Sequence, residues 1–472
     1  MKNKFIYALT FALAIGMSSC DKLSDFGDTN VDPRAVTVAS APALLTNSLA
    51  GLGGWVTDRQ PGRYAQYFTE TQYPGQSLYS LPIASFSGSY NGSLYDLQNI
   101  QNLNVNKNLN SVAKIVQQFI FWQITDRWGD IPYTEALKGI ENGSPKYDTQ
   151  EVIYKGMIKA LTDAVASMDS SPIPGDIMYN GDANGWKRMA NSLRMLMAVQ
   201  LSKKYPGASD YAATEFKAAL AGNGGYIATN GQNFQINYAA PNFKNPIWGW
   251  YNGRADDGES KTMTDMLKSL SDTRINPFGG DSHTGGTGTS DVGNPYGLAE
   301  AAARKFVNDN NNWARVLRGD LRTESSPVYL ISAAQVALAR AEAANLGWTT
   351  ENTAALYQDG ITLSHQQWGL AAPSAAYFTG PDVALGTDNV KKIATQQWIA
   401  SYPDGHMGWN VWRKTGFPVL IPAPAATNTS KQIVRRYTYA LTEYTNNKVN
   451  VQPAVDRLPG GDTQDAKVWW DQ

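Results

Sequence analysis

The sequence predicts an all-α, mostly helical protein, and three observations carry that prediction. Apolar residues recur at helical spacing in several segments, many of their inward positions are alanine, and the stretches between them are long and rich in Gly, Asn and Tyr. In "NGDANGWKRMANSLRMLMAVQLSKKYPG", Met189, Leu193, Leu196, Met197 and Leu201 fall on one face. Asp182 or Asn184 is placed to cap the start of that helix, and Pro206 with Gly207 to stop the chain from continuing it.

Comparable helices are expected over 111–127, 149–168, 211–221, 328–346, 352–368 and 390–401. The alanines of "ISAAQVALARAEAANLGW" allow close approach of helices in antiparallel pairs, which suggests a helical-repeat scaffold. A strict 34-residue period with the tetratricopeptide signature is absent. Residues 51–100, 222–300 and 403–470 read as long loops, and their aromatic density argues against disorder. Together they are expected to form one elaborated face on the helical frame.

Ahead of the helices, Lys2 and Lys4 precede an apolar run from Phe5 to Ile15, then Gly16, Ser18, Ser19 and Cys20. This pattern predicts a signal peptide over 1–19. The run is about half of the roughly 20 apolar residues that a membrane-spanning helix needs. "MSSC" resembles a bacterial lipobox, so cleavage is expected before Cys20, with Cys20 as the lipidated N-terminus and 20–40 as a polar tether. Two or more acyl chains anchor stably where one does not. Cys20 is the only cysteine of 472 residues, so its acylation leaves no thiol for an intrachain disulfide. Residues 41–472 are long enough to bury a core of their own, as one large domain or two fused lobes.

Composition narrows the function classes. With 40 Lys plus Arg against 41 Asp plus Glu, the net charge is −1, which implies no basic face for nucleic acid. Tyr (24) and Trp (14) far outnumber Phe (14), an excess that suits wet binding surfaces because both rings pair an apolar face with a hydrogen-bonding edge.

Several segments in order resemble successive blocks of the SusD/RagB family: "ITDRWGDIPYTEAL", "YDTQEVIYKGMIKALTDAV", "GDANGWKRMANSLRMLMAVQLSK", "ISAAQVALARAEAANLGW", "LYQDGITLSHQQWG" and "KIATQQWIASYPDGHMGWNVWRKTGFP". The resemblance runs from about Cys20 to the terminal "KVWWDQ" and is nearest to the family's nutrient-binding outer-membrane lipoproteins. It implies tetratricopeptide-like helix pairs over 41–472 and a lipid-anchored, surface-exposed place at the outer membrane. It also implies that the protein sits as a lid on a SusC-type TonB-dependent barrel and captures an oligosaccharide or peptide for import. Asp21, Asp25 and Asp28 after Cys20 are similar to the signals that send such lipoproteins to the outer leaflet.

Two motifs that invite a chemical reading are explained by structure. In "DRWGDIPY", Gly129 permits a sharp helix exit and Pro132 forbids continuation, so Asp126, Arg127 and Asp130 are expected to serve the turn. In "GWNVWRKTGFP", Arg413 and Lys414 beside Trp409 and Trp412 fit cations packed against aromatics at a helix end.

The more promising stretch is "NPIWGWYNGRADDGES". Trp248, Trp250 and Tyr251 offer faces for the C–H patches of a sugar ring, and Asn252 and Arg254 offer donors for its hydroxyls. A peptide would use the same surface, and the competing reading is that Trp248 and Trp250 plug a satellite core. In "TETQYPGQSLYSL", Tyr73 and Tyr79 flank a Pro-Gly turn that would project both rings from the end of a helix holding Tyr64 and Phe68. Tyr296, in "NPYG" after the glycine-rich "SHTGGTGTSD", completes the set of candidate ligand residues.

Catalysis is not expected. Asp256, Asp257 and Glu259 supply acids in one loop, but a glycosidase needs two carboxyls placed across the scissile bond. His283, His365 and His406 lie far apart without HExxH spacing, and the acidic trio lacks the alternation of a calcium loop, so neither metal nor cofactor is expected. The alternative classes are a helical-repeat scaffold of a surface complex that binds no nutrient itself, and a surface hydrolase.

Overall fold

In the computed structural model, residues 40–80 and 84–472 are described. The signal peptide, Cys20 and the tether up to Ala39 therefore lie outside the described residues. The helices that frame the molecule are α1 (Ala41–Ala50), α2 (Ser93–Leu103), α3 (Lys107–Trp128), α4 (Gln150–Ser167), α5 (Ala183–Gln200), α6 (Tyr211–Leu220), α7 (Ala333–Asn345), α8 (Thr353–Gln367), α9 (Asn389–Ser401) and α10 (Gly405–Thr415).

Short polar residues set where they begin. Asn106, Thr149, Asp182, Asn352 and Asp404 each accept backbone N–H bonds at a helix start, and Ser332 with Gln335 forms a reciprocal capping box at α7. Of the two residues expected to cap α5, Asp182 does so. α3 ends at Gly129, whose φ of +89° is open to glycine at little cost.

α3 packs with α4, α5 with α6, α7 with α8 and α9 with α10, and the pairs join through α4 with α5, α5 with α7 and α7 with α9. This is the helical, tetratricopeptide-like stack that the sequence implies. Small residues let the helices approach: Ala333, Ala334, Ala337, Ala339, Ala341 and Ala343 of α7 are all buried. Gly360 of α8 lies so close to α7 that an added Cβ would sit 2.6 Å from Leu338 Cγ. Gly360→Val is therefore expected to lower stability by about 2–3 kcal/mol through overpacking. A thermal melt checks this, and an unchanged Tm would mean that the α7–α8 contact yields without cost.

One expected helix is divided. Val328–Ile331 is a strand antiparallel to Phe234–Ile236, and α7 starts only after Ser332. Three of the four residues of Val-Tyr-Leu-Ile are β-branched or aromatic, and the segment finds a pairing partner that local periodicity does not reveal. A second small sheet pairs Phe68–Glu70 with Asp257–Glu259. Phe68 is thus in a strand, and the helix that holds Tyr64 (Arg59–Tyr64) stops before it. The stretches read as loops also contain helices, α2 and α10 among them, together with Lys261–Ser269.

Asp126 has the structural duty expected of it. Fully buried, it accepts from Tyr154 Oη (2.5 Å), Trp470 Nε1 (2.9 Å) and Asn410 Nδ2 (2.5 Å), and lies 3.3 Å from His406 Nε2. One carboxylate thereby ties α3, α4, α10 and the C-terminal segment. Arg127 donates to Trp55 O (2.9 Å) and Asp130 is held by Arg457 (2.6 Å). Arg413 lies 3.6 Å over the Trp409 ring and 4.7 Å over Trp470, the cation–aromatic packing read from the sequence.

Candidate functional site

The stretch from Ala240 to Arg254 is laid on the frame by its own polar residues. Asn245 caps the short helix Pro246–Trp250 by accepting from Ile247 N (2.7 Å), and its backbone and side-chain N–H groups bond Glu324 O (2.9 Å) and Ser326 O (2.9 Å). Those bonds join the aromatic loop to the segment that leads into Val328–Ile331. Opposite them, the chain over Gly280–Ser290 folds back on itself, with Asp281 N donating to Gly288 O (3.3 Å). Between these walls is a cleft of about 640 Å³, lined by Trp248, Tyr251, Asn252, His283, Arg322 and Glu324 among others.

The cleft floor is a layered stack. Tyr251 Oη donates to Asp257 O (2.8 Å) and accepts from Val316 N (2.7 Å), which holds the ring in one position. Arg322 lies 4.3 Å from one ring centroid, and His283 stacks at 6.4 Å with an interplanar angle of 12°. Trp313 follows His283 at 5.7 Å, and Arg315 lies 3.8 Å over Trp313. At the rim, Trp248 is half-buried with Lys244 Nζ 4.4 Å from its ring, and that lysine is paired with Glu324 (2.8 Å). Burial of Tyr251 pushes its hydroxyl pKa well above the usual range, so it remains a neutral donor.

The aromatic candidates separate accordingly. Trp248, Tyr251 and Asn252 meet at the cleft. Trp250 does not: it is buried edge-on against Phe68 (5.3 Å) with Arg59 above it (4.9 Å), so the core-plug reading holds for this tryptophan. Tyr73 is 58% exposed, with Arg304 and Arg254 at 4.7 and 5.7 Å from its ring centroid. It stands beside Arg254 because Thr71 and Gln72 bond Asp256 (2.8 and 2.6 Å), which in turn pairs with Arg254.

Tyr79 requires a correction. The turn after Pro74 folds back onto the segment 423–427, where Tyr79 Oη accepts from Ala423 N (2.9 Å) and Thr427 N donates to Leu78 O (2.7 Å). The ring is fully buried beside Tyr64, so only Tyr73 projects from this turn. Tyr296 is likewise drawn inward, half-buried against Tyr79 and donating to Arg63 O (2.7 Å).

Nor do the three loop acids face a common substrate. Asp257 is held by Arg63 (2.8 Å) and Arg59 (3.0 Å), and Asp256 by Arg254. Glu259 is fully buried with neither carboxyl oxygen hydrogen-bonded, and burial holds its carboxyl far above the usual carboxylate range. Among the described residues, no group of three or more His, Cys, Asp or Glu is arranged to hold a metal ion.

Sequence reasoning missed His283, Arg322, Lys244 and Glu324. The glycine-rich segment that holds His283 is itself a sequence signal for a loop. The contribution of Arg322 depends on folding across about 70 residues, and its local sequence "GDLRTESS" carries no signal of it. A second concavity, of about 910 Å³, lies between Tyr90, Tyr95, Ile140, Asn142 and Asn446 and holds none of the predicted residues.

A family model described as starch-binding and associating with the outer membrane, SusD-like, matches residues 33–440. The chain belongs to the SusD-like family. Its fold is similar to that of a solved chitin-binding protein, with 26% identity and a TM-score of 0.77 over 92% of this chain and 100% of that one. A chitin-binding SusD homologue from Flavobacterium johnsoniae (24% identity, TM-score 0.78, 92% and 98% covered) has the same fold. So does a SusD homologue from Bacteroides uniformis (24%, 0.77, 92% and 100%). The chain matches no curated protein sequence. Among the described residues, this SusD-like chain has no helix long and apolar enough to cross a membrane.

Proposed function

We propose that the protein is a non-enzymatic, surface-exposed lipoprotein, anchored through Cys20, that captures an oligosaccharide and passes it to a SusC-type TonB-dependent barrel. The observation that carries this reading is the cleft: a half-buried Trp248, a fixed Tyr251 and the amide of Asn252 converge with the charged donor Arg322 around a space of about 640 Å³. Aromatic faces take the C–H patches of a sugar, and the surrounding donors take its hydroxyls. Glycan is favoured over peptide by the starch-binding description of the family and by the chitin-binding protein at 26% identity. Moderate affinity suits the role, because a ligand must also leave for the transporter.

Removing the Trp248 ring tests the reading. Trp248→Ala is expected to weaken binding of a recognised glycan roughly tenfold, about 1.4 kcal/mol. Its Tm should stay near that of the wild type, because the ring is at the rim. Calorimetric titration over a panel of plant, fungal and bacterial oligosaccharides gives the affinity. If no glycan binds while the protein co-purifies in a stable surface assembly, the scaffold reading replaces this one.

A further inference from the structure

The cleft contains a cation that the protein itself leaves without an anion. Arg322 is 2% exposed and Arg315 is 4% exposed. Among the described residues, Arg63, Arg127, Arg194, Arg274 and Arg436, all likewise buried, meet a carboxylate within 4 Å. Arg413 lacks such a contact but lies in the field of Asp126 and Asp471.

Arg322 bonds only carbonyls: Nε donates to Leu317 O (3.0 Å), Nη1 to His283 O (3.1 Å) and Nη2 to Ser282 O. Arg315 donates to His283 Nδ1 (3.2 Å) and to the backbone oxygens of Asp281, Asn311 and Trp313. Burial lowers the pKa of Arg315 to about 10, with the neighbouring Arg322 adding to the shift and the charge of Asp281 only partly opposing it, and burial lowers that of Arg322, on which no carboxylate acts.

A guanidinium has five N–H donors. Three of those on Arg322 are spent on carbonyls, which leaves one on each terminal nitrogen, on a side chain that lines the cleft. His283 adds a donor: its Nδ1 accepts from Arg315, so in the neutral ring Nε2 carries the hydrogen. The carboxylate of Glu324, on the same wall, is already paired with Lys244. Unspent donors on a buried, unpaired fork match the two oxygens of a planar carboxylate.

We infer that the captured glycan is acidic, and that Arg322, with His283, binds the carboxylate of a uronic acid residue stacked on Trp248. This rests on the glycan-capture reading of the same cleft. The experiment uses the lipid-free wild-type protein and oligomers of galacturonate, glucuronate and mannuronate, each titrated beside its own methyl ester, with chitotriose, maltotriose and a sulfated oligosaccharide as further arms. At least one uronate oligomer is expected to bind tenfold or more tighter than its ester at 50 mM NaCl, with the preference shrinking at 500 mM. Arg322→Lys should reduce that preference to less than threefold; should it fail to fold, the wild-type comparison decides alone. Equal or tighter binding of every ester overturns the inference, as does binding confined to neutral or sulfated glycans, and both leave capture intact. Silence across all arms overturns the inference together with the capture reading.

Discussion

Asp126→Ala is expected to lower the stability of the protein by about 3–5 kcal/mol, the usual loss when one partner of a buried polar network is removed. The substitution strips the acceptor from Tyr154, Trp470 and Asn410 at once and leaves their donors dry. It also opens the junction at which α3, α4 and α10 meet the C-terminal segment. Asp126→Asn should cost less, because one amide oxygen still accepts while the NH₂ group faces donors. Urea unfolding followed by tryptophan fluorescence and by far-UV circular dichroism measures both. A change below about 1 kcal/mol for Asp126→Ala would show that water or rearranged side chains satisfy the network.

The second large effect concerns pH and two neighbours at the start of α10. Asp404 caps that helix through Oδ1, while its Oδ2 is buried without a partner, and burial raises its carboxyl from 3.8 to about 7. His406, also fully buried, is pushed by burial from 6.5 to about 4, with the charge of Asp126 only partly opposing that shift. Between about pH 4 and 6.5 the two groups therefore move stability in opposite directions. The unfolded chain protonates His406 where the folded one does not, so the histidine adds stability as pH rises, and its contribution is complete above 6.5. The folded chain keeps a proton on Asp404 that the unfolded one has lost, so the aspartate subtracts stability from pH 3.8 up to about 7. Each effect amounts to about 3–4 kcal/mol over its range, and in the wild type they nearly cancel.

Separating the neighbours should expose both slopes. Relative to the wild type, Asp404→Asn is expected to gain stability between about pH 4.5 and 7 by about 3 kcal/mol, because the loss that Asp404 causes as pH rises is removed and Asn still caps the helix. His406→Gln is expected to show the reverse, losing stability over the same interval because the aspartate then acts unopposed. Urea midpoints at about pH 4.5 and 7 for the three proteins test this, and all other titrating groups drop out of the differences. Parallel pH profiles for wild type and both variants would mean that neither group is perturbed by its burial.

How legible the molecule was in its sequence follows from the range of the interactions involved. Helices α3, α4, α5, α6, α8 and α9 were readable to within a few residues, because 3.6-residue periodicity and capping side chains act over a turn or two. Val328–Ile331 was misread because its strand pairing with Phe234–Ile236 spans about 90 residues. At the candidate site, the richness of 245–254 in Trp, Tyr, Asn and Arg pointed to a loop of which Trp248, Tyr251 and Asn252 line the cleft. The sequence did not separate Trp248 from Trp250, although they are two residues apart on one short helix, since only the position of Phe68 and Arg59 makes one a rim and the other a plug. Tyr73 and Tyr79 diverge for the same reason, with the segment 423–427 capturing the second.

Hydrophobic periodicity, helix caps and the ordered blocks of a family are local properties of the chain, and by themselves they determined a helical SusD-like body with an aromatic loop. Which rings line the cleft, which acids are neutralised inside and which arginine is left without an anion were decided only when segments 70 to 350 residues apart came together. A side chain's exposure, charge state and free donors are set by its neighbours in space, and no spacing along the chain encodes them.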